Sequence, residues 1–178
     1  MRREIDVFDY AGEILKAVKK GVLLTTRDGD KVNSMTIAWG TLGIEWGRPV
    51  FIAFVREGRF TRELLDKNPE FTVNVPVGAC DRKIMGFCGS RSGRNCDKAK
   101  ELNLTLEPGE AVSVPAVREL PLTLECKVLY KQLQEKEGIP EDIRRAMYPE
   151  DVGSDEPMAN HDYHIAYYGE IVKAYILE

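Results

Sequence analysis

Strand-forming runs succeed one another along this chain with only turns between them, and this order constrains the fold more than any other feature. Val22-Leu23-Leu24-Thr25-Thr26 reads as a strand, Asp28-Gly29-Asp30 as a hairpin turn, and Lys31 to Trp39 as the returning strand. Pro49 leads into Val50-Phe51-Ile52-Ala53-Phe54-Val55, a continuous apolar run suited to a buried strand. Glu70 to Pro76 alternates, with Phe71, Val73 and Val75 on one side. Leu120 to Leu133 and Tyr163 to Leu177 are two further long strands. Parallel neighbours would need a crossover, usually a helix, between each pair. The order therefore argues against a doubly wound sheet. It predicts a mainly β fold, an antiparallel, Greek-key-like barrel with peripheral helices packed outside.

The helical segments are short. Tyr10 to Lys20 turns Ile14, Leu15 and Val18 to one side and Glu13, Lys16, Lys19 and Lys20 elsewhere, and Gly21 closes it. Thr61 is placed to cap a helix running to Asn68, which Pro69 stops. Between Gly78 and Leu104 the texture changes. Asp81 to Cys88 reads as helix, Gly89 to Asn95 as a polar glycine-bearing loop, and Asp97 to Leu102 as a second short helix. Glu135 to Gly138 is a turn, Pro140 to Met147 a helical turn, and Pro149 to Asn160 an acidic surface loop. With no repeat and 178 residues, the expectation is one domain over 1–178. A chain of this size buries roughly 70% of its unfolded surface without a staple.

The formal net charge of −4, from 25 basic and 29 acidic residues, argues against nucleic acid as the main partner. No apolar run approaches the ~18 residues of a membrane helix. Met1 to Asp6 carries basic residues without the apolar stretch of a signal peptide. A cytoplasmic protein away from the membrane is expected. Cys80, Cys88, Cys96 and Cys126 form no C-x-x-C pair, and only His161 and His164 could supplement them as metal ligands. Reduced thiols and no metal site are expected.

Two segments carry chemistry. Asn33-Ser34-Met35-Thr36-Ile37-Ala38-Trp39 puts small polar groups at the head of a strand and an indole at its end. Arg56-Glu57-Gly58-Arg59-Phe60-Thr61 puts two guanidinium groups, a glycine and a hydroxyl where a strand hands over to a helix. Helix-start N–H groups lack intrahelical partners and suit an anion. Together the segments suggest a phosphate-bearing aromatic cofactor. Neither a G-x-G-x-x-G after a strand nor a G-x-x-x-x-G-K-[ST] occurs, so neither a Rossmann site nor a P-loop is supported. Ser90-x-Ser92-Gly93 lacks the G-x-S-x-G frame of a nucleophile elbow.

Several pieces in order resemble one family. They are Leu24-Thr25-Thr26, Asn33-Ser34-Met35-Thr36-x-x-Trp39, Arg56-x-Gly58-Arg59-Phe60-Thr61 and Phe71-Thr72-Val73-Asn74-Val75-Pro76. Cys88-Gly89-Ser90-Arg91-Ser92-Gly93-Arg94 with Asp97-Lys98 follows, then Pro121-Leu122-x-Leu124-Glu125-Cys126 and the tail from His164 to Val172. The sequence resembles the flavin reductase-like family, which has the FMN-binding split-barrel fold, and within it the flavoredoxin-like branch. The resemblance implies a homodimer with FMN near the subunit interface. It also implies electron transfer through the flavin, with NAD(P)H as donor and a small molecule or redox protein as acceptor.

Carried over residue by residue, the resemblance gives Asn33, Ser34, Met35 and Thr36 to the flavin's pyrimidine edge or phosphoribityl tail. It gives Trp39 to a wall for the ring, and Arg56, Arg59, Phe60 and Thr61 to the phosphate. Lys98 would stand near the flavin N1–C2 carbonyl edge and stabilise the charge that collects there on reduction. Ser90, Ser92 and Arg94 would shape the same loop. His164 would lie near the flavin or nicotinamide and donate a hydrogen bond or a proton near neutral pH. Lys98 and His164 are thus the candidate catalytic groups. Plain alternatives stand beside these roles: a strand-entry turn for Asn33 to Thr36, core packing for Trp39, an exposed lysine for Lys98 and a structural histidine for His164. A non-catalytic FMN carrier reduced by a protein donor is the competing function, ahead of a barrel that has lost flavin or binds haem or deazaflavin.

Overall fold

The strand runs of the sequence become ten strands in the computed structural model, which describes residues 1–78, 80–150 and 162–178. In chain order these are β1 (Arg2–Glu4), β2 (Val22–Asp28), β3 (Lys31–Ile37), β4 (Gly40–Glu45), β5 (Arg48–Arg56), β6 (Glu70–Val75), β7 (Leu106–Glu107), β8 (Ala116–Val117), β9 (Leu122–Leu133) and β10 (His164–Leu177). The α-helices among the described residues are α1 (Ala11–Val18), α2 (Phe60–Lys67), α3 (Arg82–Ser90), α4 (Lys98–Glu101) and α5 (Glu141–Met147). Residues 151–161, which hold His161 and most of the acidic loop read from the sequence, lie outside the described residues.

Every strand pair is antiparallel. The main sheet runs β3-β2-β6-β9-β10-β5-β4, and β1 adds to β10. The long β10 holds β5 from His164 to Glu170 and β1 from Tyr175 to Leu177. The sheet curls until β3 approaches β5, closing on itself as a split barrel. Gly29 (φ +56°) takes the first central position of the β2–β3 turn, as a tight hairpin requires. The β4–β5 turn puts both Trp46 (φ +52°) and Gly47 (φ +69°) in the left-handed region, which a tryptophan seldom adopts.

The barrel interior holds Leu24, Ile37, Phe51, Ala53, Phe71, Val73, Leu124, Cys126 and Tyr167, with Ile14 and Val18 of α1 packed against them. Gly169 lies beside a register shift, where a Cβ would run into the Phe71 ring. A second cluster lies under α3: Leu23, Ile84, Cys88, Val117 and Leu120. It seats α3 on β2, and the Thr36 hydroxyl donates to the Met85 carbonyl (2.7 Å) to tie α3 to β3. Buried Glu125 on β9 anchors the loop before β8. One carboxylate oxygen accepts the N–H groups of Ala111 (2.6 Å) and Val112 (3.1 Å), the other the Tyr175 hydroxyl (2.8 Å), and both share the Glu110 N–H.

Candidate functional site

Three elements converge on a cavity of about 130 Å³: the start of β3, the first turn of α2, and the loop from α3 to α4. Asn33, Met35, Arg59, Phe60, Thr61 and Lys98 line it, with Gly58, Gly89 in the last turn of α3, and the loop residues Arg91, Ser92, Gly93 and Arg94. Eight of the residues picked from the sequence, Ser92 and Arg94 among them, are thereby brought together from three distant stretches of chain.

Thr61 stands inside the first turn of α2, where Arg59 rather than Thr61 is the extended N-cap residue. Its hydroxyl oxygen accepts the Asn33 side-chain N–H (2.9 Å), which leaves the hydroxyl hydrogen free to donate. Both residues are buried. The other end of the Asn33 amide, Oδ1, is buried and accepts nothing, and Arg59 Nε is buried and donates to nothing. Buried polar atoms are almost always paired, so two orphans in one cavity point to a missing ligand with both acceptors and a donor. Lys98 is 4% exposed and spends two of its N–H groups on the carbonyls of Ser34 (2.8 Å) and Cys88 (2.9 Å), leaving one. Burial lowers the pKa of Arg59, with the Arg56 charge adding to it, and burial lowers that of Lys98. An anion relieves both.

Ser34 contributes its carbonyl to Lys98 while its hydroxyl bonds Thr25 (2.9 Å). Thr36 is occupied with α3, and Ser90 donates to Gly86 within its own helix (2.9 Å). Arg56 pairs with Asp162 (3.3 Å), whose other oxygen accepts the Gly58 N–H (2.6 Å), so this arginine fastens the loop rather than lining the cavity. Arg94 bonds the Gly58 carbonyl, pairs with Glu63 and lies over the Phe60 ring. The sequence marks Gly93 only as part of a polar glycine-bearing loop. A Cβ there would collide with the Asn33 amide, reaching 2.8 Å from Cγ, so only glycine lets the loop close on β3.

Trp39 and His164 form a separate cluster. Their rings stand 4.7 Å apart, and the Tyr148 hydroxyl lies 2.7 Å from His164 Nδ1 and donates to Gln134 (3.1 Å). Trp39 lines a groove of about 400 Å³ with Leu15, Val18, Phe54 and Gln134. Burial first, then the Arg56 charge, brings the His164 pKa down to about 4. The imidazole is therefore neutral at pH 7, and the expected proton donor near neutrality is corrected to a hydrogen-bonding, packed ring. Among the described residues no set of three His, Cys, Asp or Glu side chains is placed for a metal, and no helix is long and apolar enough to cross a membrane.

The profile of the flavin reductase like domain matches residues 16–178. This chain belongs to that family. Flavoredoxin of Desulfovibrio vulgaris (Miyazaki F) superposes with a TM-score of 0.65 at 26% identity, over 89% of this chain and 69% of that one. An FMN-binding domain of a flavin reductases-like enzyme from Shewanella baltica shares the fold, with a TM-score of 0.65 at 17% identity over 99% of this chain and 77% of that one. A Pyrococcus abyssi protein is 28% identical over 106 residues, 60% of this chain and 59% of that protein. The chain thus spans under two thirds of the length of the curated relatives it matches. The flavin reductase-like barrel and its flavoredoxin-like branch are as the motif order predicted.

Proposed function

We propose that this flavin reductase-like protein binds FMN, with the phosphate end in the cavity between β3, α2 and the α3–α4 loop, and works as an NAD(P)H-dependent oxidoreductase. The observation that carries the reading is the pair of orphaned buried atoms, Asn33 Oδ1 and Arg59 Nε, beside the remaining Lys98 donor. A phosphate accepts from Arg59, Thr61 and Lys98, and a neighbouring ribityl hydroxyl donates to Asn33. The volume of about 130 Å³ suits a phosphorylated sugar end rather than a whole flavin. When bound, FMN supplies hydride and electron transfer; the chain's residues hold it and set the charge around it.

Flavoredoxins among the similar structures keep a second reading open: an FMN carrier reduced by a protein donor. Anaerobic NAD(P)H separates the two, because only the enzyme is bleached by it directly. The chain acts as a single domain over 1–178, in the cytoplasm, as a homodimer. A second copy covers the outer face of β4, β5, β9 and β10, where Trp46, Tyr130 and Tyr168 pack on one another and Ile44 is 70% exposed. Trp46→Lys should then give a monomer by light scattering.

The test is the visible spectrum after FMN loading and desalting. Wild type should keep a flavin band and Arg59→Ala should lose most of it. No band in wild type at saturating FMN, or an equal band in the variant, would overturn the site.

A further inference from the structure

The turn that carries Gly58 and Arg59 to the cavity has a carboxylate built into it. The Arg59 N–H closes this turn on the Arg56 carbonyl (3.0 Å). Asp162, just ahead of β10, holds it from one side. Its Oδ2 accepts the Gly58 N–H (2.6 Å) and its Oδ1 pairs with Arg56 (3.3 Å). The carbonyl of the next residue, Tyr163, accepts the Glu57 N–H (3.1 Å). Arg94 holds the turn from the other side, donating twice to the Gly58 carbonyl (3.2 Å each). Gly58 is thus gripped at both its N–H and its carbonyl, which fixes where Arg59 enters the cavity.

Any neutral acceptor would serve the Gly58 N–H, yet the acceptor here is charged. Gly58 and Arg59 line the cavity, so the negative charge of Asp162 stands directly behind the wall that meets an anion. The side chains of Arg56 and Asp162 are only 18% and 28% exposed, so solvent screens this charge poorly. Asp162 also lies within electrostatic reach of Arg59. We propose that Asp162 is a positioning residue with two opposed effects on the bound anion. Its Oδ2 shapes the turn that receives the anion, and its charge weakens the hold of that turn, so that the ligand exchanges. That the ligand is FMN rests on the FMN reading; the action on a phosphate group does not.

Asp162→Asn keeps an oxygen for the Gly58 N–H and removes the charge, whereas Asp162→Ala removes both. FMN and riboflavin, which lacks the phosphate, are titrated into the purified full chain by fluorescence, and inorganic phosphate is titrated in thermal melts. Asp162→Asn should bind FMN about threefold to tenfold more tightly than wild type and release it more slowly, with riboflavin affinity unchanged. Asp162→Ala should bind FMN no better than wild type. Inorganic phosphate should raise the Tm of Asp162→Asn at lower concentrations than it raises that of wild type. A merely structural carboxylate would give the opposite sign, because loosening the turn weakens FMN in both variants. No gain for FMN in Asp162→Asn, an equal gain for riboflavin, or the same gain in Asp162→Ala would each overturn the proposal. If no form binds FMN but phosphate still stabilises Asp162→Asn at lower concentrations than wild type, the FMN reading fails and the role of Asp162 stands.

Discussion

The buried His164 makes the stability of this protein depend on pH in a window set by one side chain. In the unfolded chain the imidazole titrates near its ordinary 6.5; in the fold, burial and the Arg56 charge bring it to about 4. Between those values the unfolded chain holds a proton that the folded one refuses, so stability is whole above about pH 6.5 and falls as the pH drops towards 4. Each pH unit inside the window removes about 1.4 kcal/mol, so going from pH 7.5 to pH 5 costs about 2 kcal/mol through this group. For a chain of this size that is a drop in Tm of about 4–8 °C. Other groups titrate too, so the decisive comparison is with His164→Gln, whose amide keeps a hydrogen-bonding group beside the Tyr148 hydroxyl. Thermal melts at the two pH values should show wild type losing about 2 kcal/mol more than the variant. Equal losses in the two proteins would show that His164 is not the neutral, desolvated ring described above.

Thr61→Val keeps the shape of the threonine but removes its hydroxyl. It should weaken FMN binding about 10–100-fold by fluorescence titration, and lower stability by about 1–3 kcal/mol because the Asn33 N–H loses its partner. Gly93→Ala drives a methyl group into the Asn33 amide and should cost about 1–3 kcal/mol in denaturant unfolding, with FMN retention falling alongside. Glu125→Gln leaves one carbonyl oxygen to face the donors gathered on the carboxylate, and should cost about 2–4 kcal/mol in thermal melts with FMN affinity nearly unchanged.

Much of the barrel could be read because its signals are local. Asp28-Gly29-Asp30 names its own turn, and Pro69 and Gly21 end their helices where expected. β4 escaped notice because Gly40 and Gly43 break any alternation, and β1, β7 and β8 are too short to show a period. At the site, residue types were legible but their orientation was not. Lys98 sits between residues that look like helix surface, and only carbonyls from two remote segments make its burial tolerable. Arg56 and Arg59 look equivalent in sequence. Asp162, more than a hundred residues away, takes one of them for the loop and leaves the Arg59 Nε facing the cavity. The resemblance gives Trp39 to the flavin ring and His164 to the flavin or nicotinamide, apart from the phosphate residues. β3 ends at Ile37, and the indole beyond it turns to His164 and the groove.

The carboxylate of Glu125 gives the stretch from Glu110 to Val112 the standing of a strand without its hydrogen-bond ladder. Three successive amide protons there end on one buried side chain that Tyr175 also holds. Their exchange with solvent deuterium should track global unfolding of the barrel rather than local fraying. The arc from Arg91 to Asn95 is held by exposed groups: the N–H groups of Asn95 and Arg94 turn back on Ser92, Arg91 bonds the helix end, and Arg94 reaches Gly58 and Glu63. A ligand leaving the cavity would therefore go out on the side of that arc, because it is the wall with the least free energy to lose by opening.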